Sequence, residues 1–234
     1  MLLKGLFRGG LFDIVRCDEK SYLLWKWQLP STNRKKKSEI RWGSKLKVKA
    51  EEAAVIVLSS SSGIQKEMIT GPTDMVLKTE NIPIISNILN IAYNGESPFT
   101  AEAFFVNLSQ SNQAGFAVPY FAINDGVKGG NYSVAVRGFI RFGITNPDRF
   151  IEHYGLRTIS IEDFKREVQP NIVEIAKSAL RSATEEFGIS LYQLEEQSER
   201  IKNKIGELLW NQFNKVYGVA LLDININAID IIQE

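Results

Sequence analysis

An α+β fold is predicted by three observations. Period-two apolar patterning dominates the first two-thirds of the chain, two amphipathic helical stretches follow it, and one further alternating stretch closes the sequence. Strands, then helices, then a strand is the order expected of helices docked on a largely antiparallel sheet, not of alternating βαβ units.

The elements follow in order. Residues 22–28 (YLLWKWQ) are aromatic-rich and read as a strand. A polar loop runs from Pro30 to Ser38 and carries Arg34, Lys35, Lys36 and Lys37. Residues 45–50 (KLKVKA) alternate strictly, with Leu46, Val48 and Ala50 on one face and Lys45, Lys47 and Lys49 on the other. Residues 53–58 (AAVIVL) form a continuous apolar run, the pattern of a strand buried on both faces, and SSSSG at 59–63 returns the chain as a hairpin. Gly71-Pro72 marks a turn, Pro83 breaks the next segment, and 84–92 is expected as a short helix. Residues 101–108 and 116–123 suit strands, with Pro119 placing the second at an edge or a bulge. Asp125-Gly126 and Gly129-Gly130 make turns before the clearest strand, 132–144. There Tyr132, Val134, Val136, Ile140, Phe142 and Ile144 share a face, Arg137 and Arg141 lie opposite, and Gly138 marks a bulge.

The period then changes. Asn146-Pro147-Asp148 opens a short helix, and Ser160 with Asp163 caps a long one, in which Phe164, Val168, Ile172, Ala176, Leu180, Ala183 and Phe187 form one stripe. Pro170 either kinks that helix or starts its main part. A second helix covers about 198–215, with Ile201, Ile205, Leu208, Leu209 and Phe213 inward and Gly218 at the C′ position. The last strand, 219–229, sets Leu222, Ile224, Ile226 and Ala228 against Asp223, Asn225 and Asn227.

The chain's formal charge is +1, but residues 1–50 hold 13 Lys/Arg against 4 Asp/Glu and residues 51–234 hold 15 against 23. A basic front on an acidic remainder predicts an anionic partner for the front. No stretch approaches the ~20 apolar residues of a membrane span, and MLLKGLFRGG lacks a signal peptide's continuous apolar core. A single cysteine, Cys17, rules out an intrachain disulfide. The sequons at Asn107 and Asn131 are read as accidental.

Several segments together resemble one family. GSKLKVKAEEAAVIVL (43–58), TENIP (79–83), GESPFTAEAFFVN (95–107), the arginine-bearing strand entering Asn146-Pro147-Asp148-Arg149-Phe150, and Tyr217-Gly218-Val219 before an Ile-rich strand follow the order of the SPFH (stomatin/prohibitin/flotillin, Band 7) domain, in the form of its virion-core-protein-like bacterial branch. The likeness spans roughly 11–232. It implies an SPFH-type fold: a strongly curved, largely antiparallel sheet packed with two amphipathic helices and a final C-terminal strand. Residues 1–42 would then be an N-terminal membrane-proximal segment and first strand, and 43–234 the SPFH domain. The chain departs from the family at GFAVPYFAIND, where relatives often carry Gly-Thr and Pro-Ile pairs before the Asp near 125, and neither a coiled-coil repeat nor a zinc-binding pattern is read within residues 1–234. The resemblance implies a non-enzymatic scaffold, cytoplasmic and peripheral at the inner face of the cell membrane. Such a scaffold would form homo-oligomers and recruit membrane-stress or membrane-organising proteins, those of the phage-shock type among them.

Chemistry-bearing motifs are sparse. With His153 and Cys17 alone, no His/Cys metal set can be assembled, and no G-x-S-x-G elbow or phosphate-cradling loop occurs. No catalytic, metal or cofactor residue is expected; GVKGGN (126–131) is a hairpin turn, and Glu51-Glu52 and Glu195-Glu196 are solvated surface pairs. The candidate site is instead a membrane-binding one: Leu2, Leu3, Lys4, Leu6, Phe7, Arg8, Leu11 and Phe12, with Arg34, Lys35, Lys36 and Lys37. As a helix, the first group presents an apolar face with Lys4 and Arg8 opposite; as an arm, it packs on the core. The basic run is either a solvated loop or an attractor of anionic lipid. Trp25, Trp27 and Trp42 are core residues or interface anchors, and Cys17 is a buried thiol or a palmitate carrier. The competing reading is a nucleic-acid-binding module using the basic N-terminal region, with Lys45, Lys47 and Lys49 on one strand face.

Overall fold

A computed structural model describes residues 14–28, 40, 43–60, 63–77, 100–185, 190–194 and 196–233. Residues 1–108 with 156–158 form one compact unit, and residues 109–155 with 159–234 form a second. The strands fall into three mostly antiparallel sheets, and the α+β class holds.

In the first unit, β1 (Ile14–Val15) pairs parallel with β3 (Lys45–Val48), which pairs antiparallel with β6 (Thr73–Val76). A larger antiparallel sheet places β2 (Tyr22–Lys26), β7 (Thr100–Asn107), β4 (Glu52–Ser60) and β5 (Gly63–Thr70) side by side. β4 lies between two strands, and residues 53–58 are all buried, which explains why the sequence shows a run there and not an alternation. The 59–63 hairpin forms as expected, with Ser60 opposite Gly63. In β3, Leu46 and Val48 are buried while Lys45 and Lys47 are half exposed. The strand ends two residues before the expected Ala50, because the chain turns through Glu51 at φ 55°. The expected helix at 84–92 lies outside the described residues.

The second unit stacks helices on a three-stranded sheet ordered β11-β9-β8. Its strands are β8 (Asn112–Asn124), β9 (Asn131–Ile144) and β11 (Val219–Gln233). Between them lie α1 (Pro147–Tyr154), a two-residue strand β10 (Ile159–Ser160), α2 (Ile161–Glu185), a 3-10 turn (Leu191–Gln193), α3 (Ser198–Gln212) and a π turn (Phe213–Tyr217). Pro119 sits where the β8–β9 register shifts, on the terminal strand of the sheet, as expected. At the start of α2, the Asp163 N–H donates to Ser160 Oγ at 3.0 Å and the Ser160 N–H donates to Asp163 Oδ2 at 3.0 Å, a reciprocal cap. The stripe from Phe164 to Ala183 is buried. Phe187 lies outside the described residues. Pro170 stands inside the continuous helix, so it does not start the main part. Aromatic rings bind the layers, with Phe142 and Phe164 centroids 4.7 Å apart and Phe164 against Phe213 at 5.8 Å.

Three expectations in this unit need correction. Leu208 does not face inward: it is 43% exposed, and the buried stripe of α3 is Ile201, Ile205 and Leu209. In β11 the strict alternation fails, because the pairing with β9 skips Leu222 and Asn227. Each extra residue reverses the inward phase, so full burial falls on Val219, Ile224 and Ile229, five apart, and Leu222 is left 42% exposed. The irregularity anticipated at Gly138 lies in the strand opposite it. A Cβ on Gly138 would stand 2.1 Å from the Asn225 carbonyl oxygen, so the close approach of β11 requires glycine there. Gly218 ends the π turn in the left-handed region, φ 66°, as its position predicts, and its carbonyl accepts the N–H groups of Thr145 and Asn146.

Candidate membrane-facing site

The twelve residues expected to meet lipid, Leu2, Leu3, Lys4, Leu6, Phe7, Arg8, Leu11, Phe12 and Arg34–Lys37, all lie outside the described residues, as does Trp42. What the structure gives is the footing of both segments. The first leads into β1, where Ile14 is exposed and Val15 is buried. The basic run lies between Trp27 and Ile40, whose N–H groups donate to Ala103 O at 2.9 Å and Ala101 O at 2.7 Å. Those carbonyls are two residues apart on β7, about 7 Å along a strand, so the excursion leaves and returns at nearly one place. Val15, Trp27 and Ile40 belong to one apolar cluster of the first unit, with Leu46, Val48, Ile56 and Phe105. Trp27 is therefore a core residue, and Trp25 packs partly buried on the same cluster, 6.1 Å from Phe105.

The described cations of the basic front are largely engaged within the unit. Lys45 and Lys47 both grip Asp74, at 3.0 and 3.7 Å, and the Lys45 hydrogen bond holds that carboxyl below the usual carboxylate range. Lys26 reaches Glu102 at 2.6 Å, Arg16 reaches Asp18 at 3.0 Å, and Lys49 Nζ donates to the Cys17 carbonyl at 2.6 Å. The lysine face of β3 is thus tied down by its neighbours. Arg34–Lys37, outside the described residues, is the longest run of cations in the sequence of this front.

A buried polar cluster beneath β3 and β4 escaped the sequence reading. Glu52 is not the solvated carboxylate expected of a Glu-Glu pair: it is 2% exposed, and it accepts hydrogen bonds from the Tyr22 hydroxyl and from the Lys49 N–H at 2.9 Å. Burial, reinforced by Glu52, pushes the Tyr22 phenol well above its ordinary range and keeps it a donor. Cys17 is fully buried and burial pushes its thiol up, so it packs as a small apolar residue and offers no surface for acylation. The signal available in the sequence was position: Glu52 begins an otherwise unbroken apolar strand.

A second buried carboxyl closes the β8–β9 turn. Asp125 is 0% exposed; Oδ1 accepts the Val127 and Lys128 N–H groups at 2.9 Å, and Oδ2 accepts the Ser190 hydroxyl at 2.8 Å and the Leu191 N–H at 3.1 Å. Burial works to raise its pKa, and these four donors together outweigh burial and hold it below the usual value. GVKGGN is accordingly a braced hairpin turn. His153 meets Glu167 at 2.8 Å and stands edge-on to Tyr154 and Tyr217, a packing role.

Among the described residues, no helix is long and apolar enough to cross a membrane. Comparison with curated proteins gave no match. The model of the SPFH domain-Band 7 family matches residues 30–234, a stretch that holds the basic run, the buried Glu52 and Asp125, and both long helices. The chain belongs to the SPFH domain-Band 7 family.

Proposed function

We propose that this chain is a non-enzymatic scaffold that docks on an anionic membrane surface from the cytoplasmic side, assembles with further copies of itself, and recruits membrane-stress or membrane-organising proteins. Family membership supports the scaffold role at a membrane. One observation supports the docking: Trp27 and Ile40, which flank the basic run Arg34–Lys37 in sequence, both bond to β7 and share an apolar cluster with Val15, which follows the leading segment. Each cation near an anionic surface contributes about 1 kcal/mol, too little alone for stable attachment, and an apolar segment inserted beside it supplies the second signal. The lysines of β3 grip Asp74, which weighs against the nucleic-acid alternative. The virion-core-like branch and the phage-shock type of partner belong to this proposal as its finer detail.

Co-sedimentation with phosphatidylserine-containing vesicles tests it. Binding is expected at low salt, reduced at high salt and absent with phosphatidylcholine alone. Deleting residues 2–12, or changing Arg34, Lys35, Lys36 and Lys37 to Gln, is expected to weaken it about tenfold or more. Full binding after both changes overturns the docking mode, and a tight gel shift with DNA or RNA at physiological salt restores the alternative.

A further inference from the structure

Leu222, skipped in the pairing of β11 with β9, also lines a groove. Between α3 and β11 lies a cavity of about 880 Å³, within the roughly 300–1,000 Å³ of ordinary binding clefts. Five consecutive residues of β11, Leu221 to Asn225, line it. Alternate residues of a strand point to opposite faces, so a hollow touched by five in a row runs along the strand's edge. That edge is open: β11 is the terminal strand of its sheet among the described residues, with β9 on its other side. Gly206 on the facing helix adds to the room, since a Cβ there would come no closer than 3.8 Å to the Ile224 side chain.

The lining is chemically directed. Trp210 is 51% exposed and Leu222 42% exposed, and both line the groove, large apolar surface left to water within one cleft. Glu199, Glu207 and Asp223 line it with a single cation, Lys202, whose Nζ is 2.6 Å from Glu199. Asp223 is only loosely held by Arg141, at 3.7 Å. The groove is therefore an acid-rimmed apolar slot beside an open strand edge.

We infer that the α3–β11 groove captures an extended peptide of a partner protein, one that adds as a strand along β11, seats a large apolar side chain against Trp210 and Leu222, and meets Glu207 and Asp223 with Lys or Arg. Main-chain pairing supplies affinity in such a mode and the side-chain slots supply selection. Charge complementarity chooses the basic peptide over an acidic one. The inference gives the recruiting half of the proposed scaffold a surface, and it rests on that half alone.

The test is run in solution without vesicles, so it succeeds or fails separately from membrane docking. The probes are fluorescein-labelled peptides of about ten residues, alternating Val and Thr around one Trp, with two Lys, and the same peptides with two Glu; the readout is fluorescence anisotropy on the full chain. The Lys peptide is expected to bind and the Glu peptide not to. Trp210→Ala and Leu222→Glu are expected to lose at least about tenfold in affinity, the scale of an interface anchor. Glu207→Lys, a substitution at an open groove wall, keeps the proposal falsifiable if either of those variants unfolds by circular dichroism: it is expected to reverse the preference towards the Glu peptide. Equal binding of both peptides, no binding of either, or a Glu207→Lys variant with unchanged preference overturns the inference. So does a mass measurement in which Leu222→Glu dissociates an oligomer of a chain that ignores both peptides, because the occupant is then a second copy.

Discussion

Among the described residues, the two units each bury one carboxyl group, and they hold it in opposite ways. In the first, Glu52 leans on a side chain, the Tyr22 phenol, and on one N–H group from Lys49. In the second, Asp125 is gripped by three backbone N–H groups and the Ser190 hydroxyl. The consequence for protons differs in sign. In the first, burial raises the pKa of the donor Tyr22, reinforced by Glu52, and burial raises that of the neighbouring Cys17; in the second, the four donors outweigh burial and lower that of the acceptor, Asp125. A strand-built core fixes its buried carboxyl by fitting a phenol against it, whereas a turn fixes its own with the N–H groups that the turn frees.

The largest expected effect is at Asp125. Asp125→Ala leaves the Ser190 hydroxyl and the Leu191, Val127 and Lys128 N–H groups without this acceptor, and a loss of about 3 kcal/mol is expected in urea unfolding, since a hydrogen bond to a charged group is worth about 1.5–3 kcal/mol. A loss below 1 kcal/mol would mean that the turn holds without the brace. Tyr22→Phe is expected to cost less, about 1–2 kcal/mol, because Glu52 keeps the Lys49 N–H and loses one donor.

The pH profile separates the two regions further. Asp125 has a folded pKa below its unfolded value of about 3.9, so its contribution is complete above that value and is lost as pH falls through the folded one. Tyr22 and Cys17 have folded values above their unfolded ones, so their contribution is complete below about pH 8.5–10 and is lost as pH rises through the folded values. Asp125→Ala is therefore expected to flatten the acid limb of a stability–pH curve and Tyr22→Phe the alkaline limb. An exchange of those roles would contradict the assignment. The smallest effect is expected at Leu208, where exposure leaves little to lose: Leu208→Ser should shift stability by no more than about 0.5 kcal/mol, against 2–5 for a buried Leu→Ala.

Much of the fold was legible because burial imposes periodicity. The run at 53–58, the stripe from Phe164 to Ala183, the Ser160–Asp163 cap and Gly218 were all visible as patterns that admit few conformations. What was hidden depends on partners distant in sequence. Glu52 reads as surface beside Glu51 until Tyr22, thirty residues away, is found against it. Leu222 reads as core until the pairing of β11 with β9 skips it, and Leu208 until the neighbours of α3 choose Leu209 instead. For the candidate site, composition exposed the basic run and the apolar leader, and the fold adds that their described flanks Val15, Trp27 and Ile40 share one cluster, with Lys45 and Lys47 of β3 paired to Asp74.

Hydrogen exchange of the full chain, with and without phosphatidylserine vesicles, tests the docking account most directly. New protection is expected in residues 2–12 and 29–39, and the α3–β11 groove is expected to exchange as before. Protection confined to the groove or to the lysine face of β3, with those two segments unchanged, would contradict it.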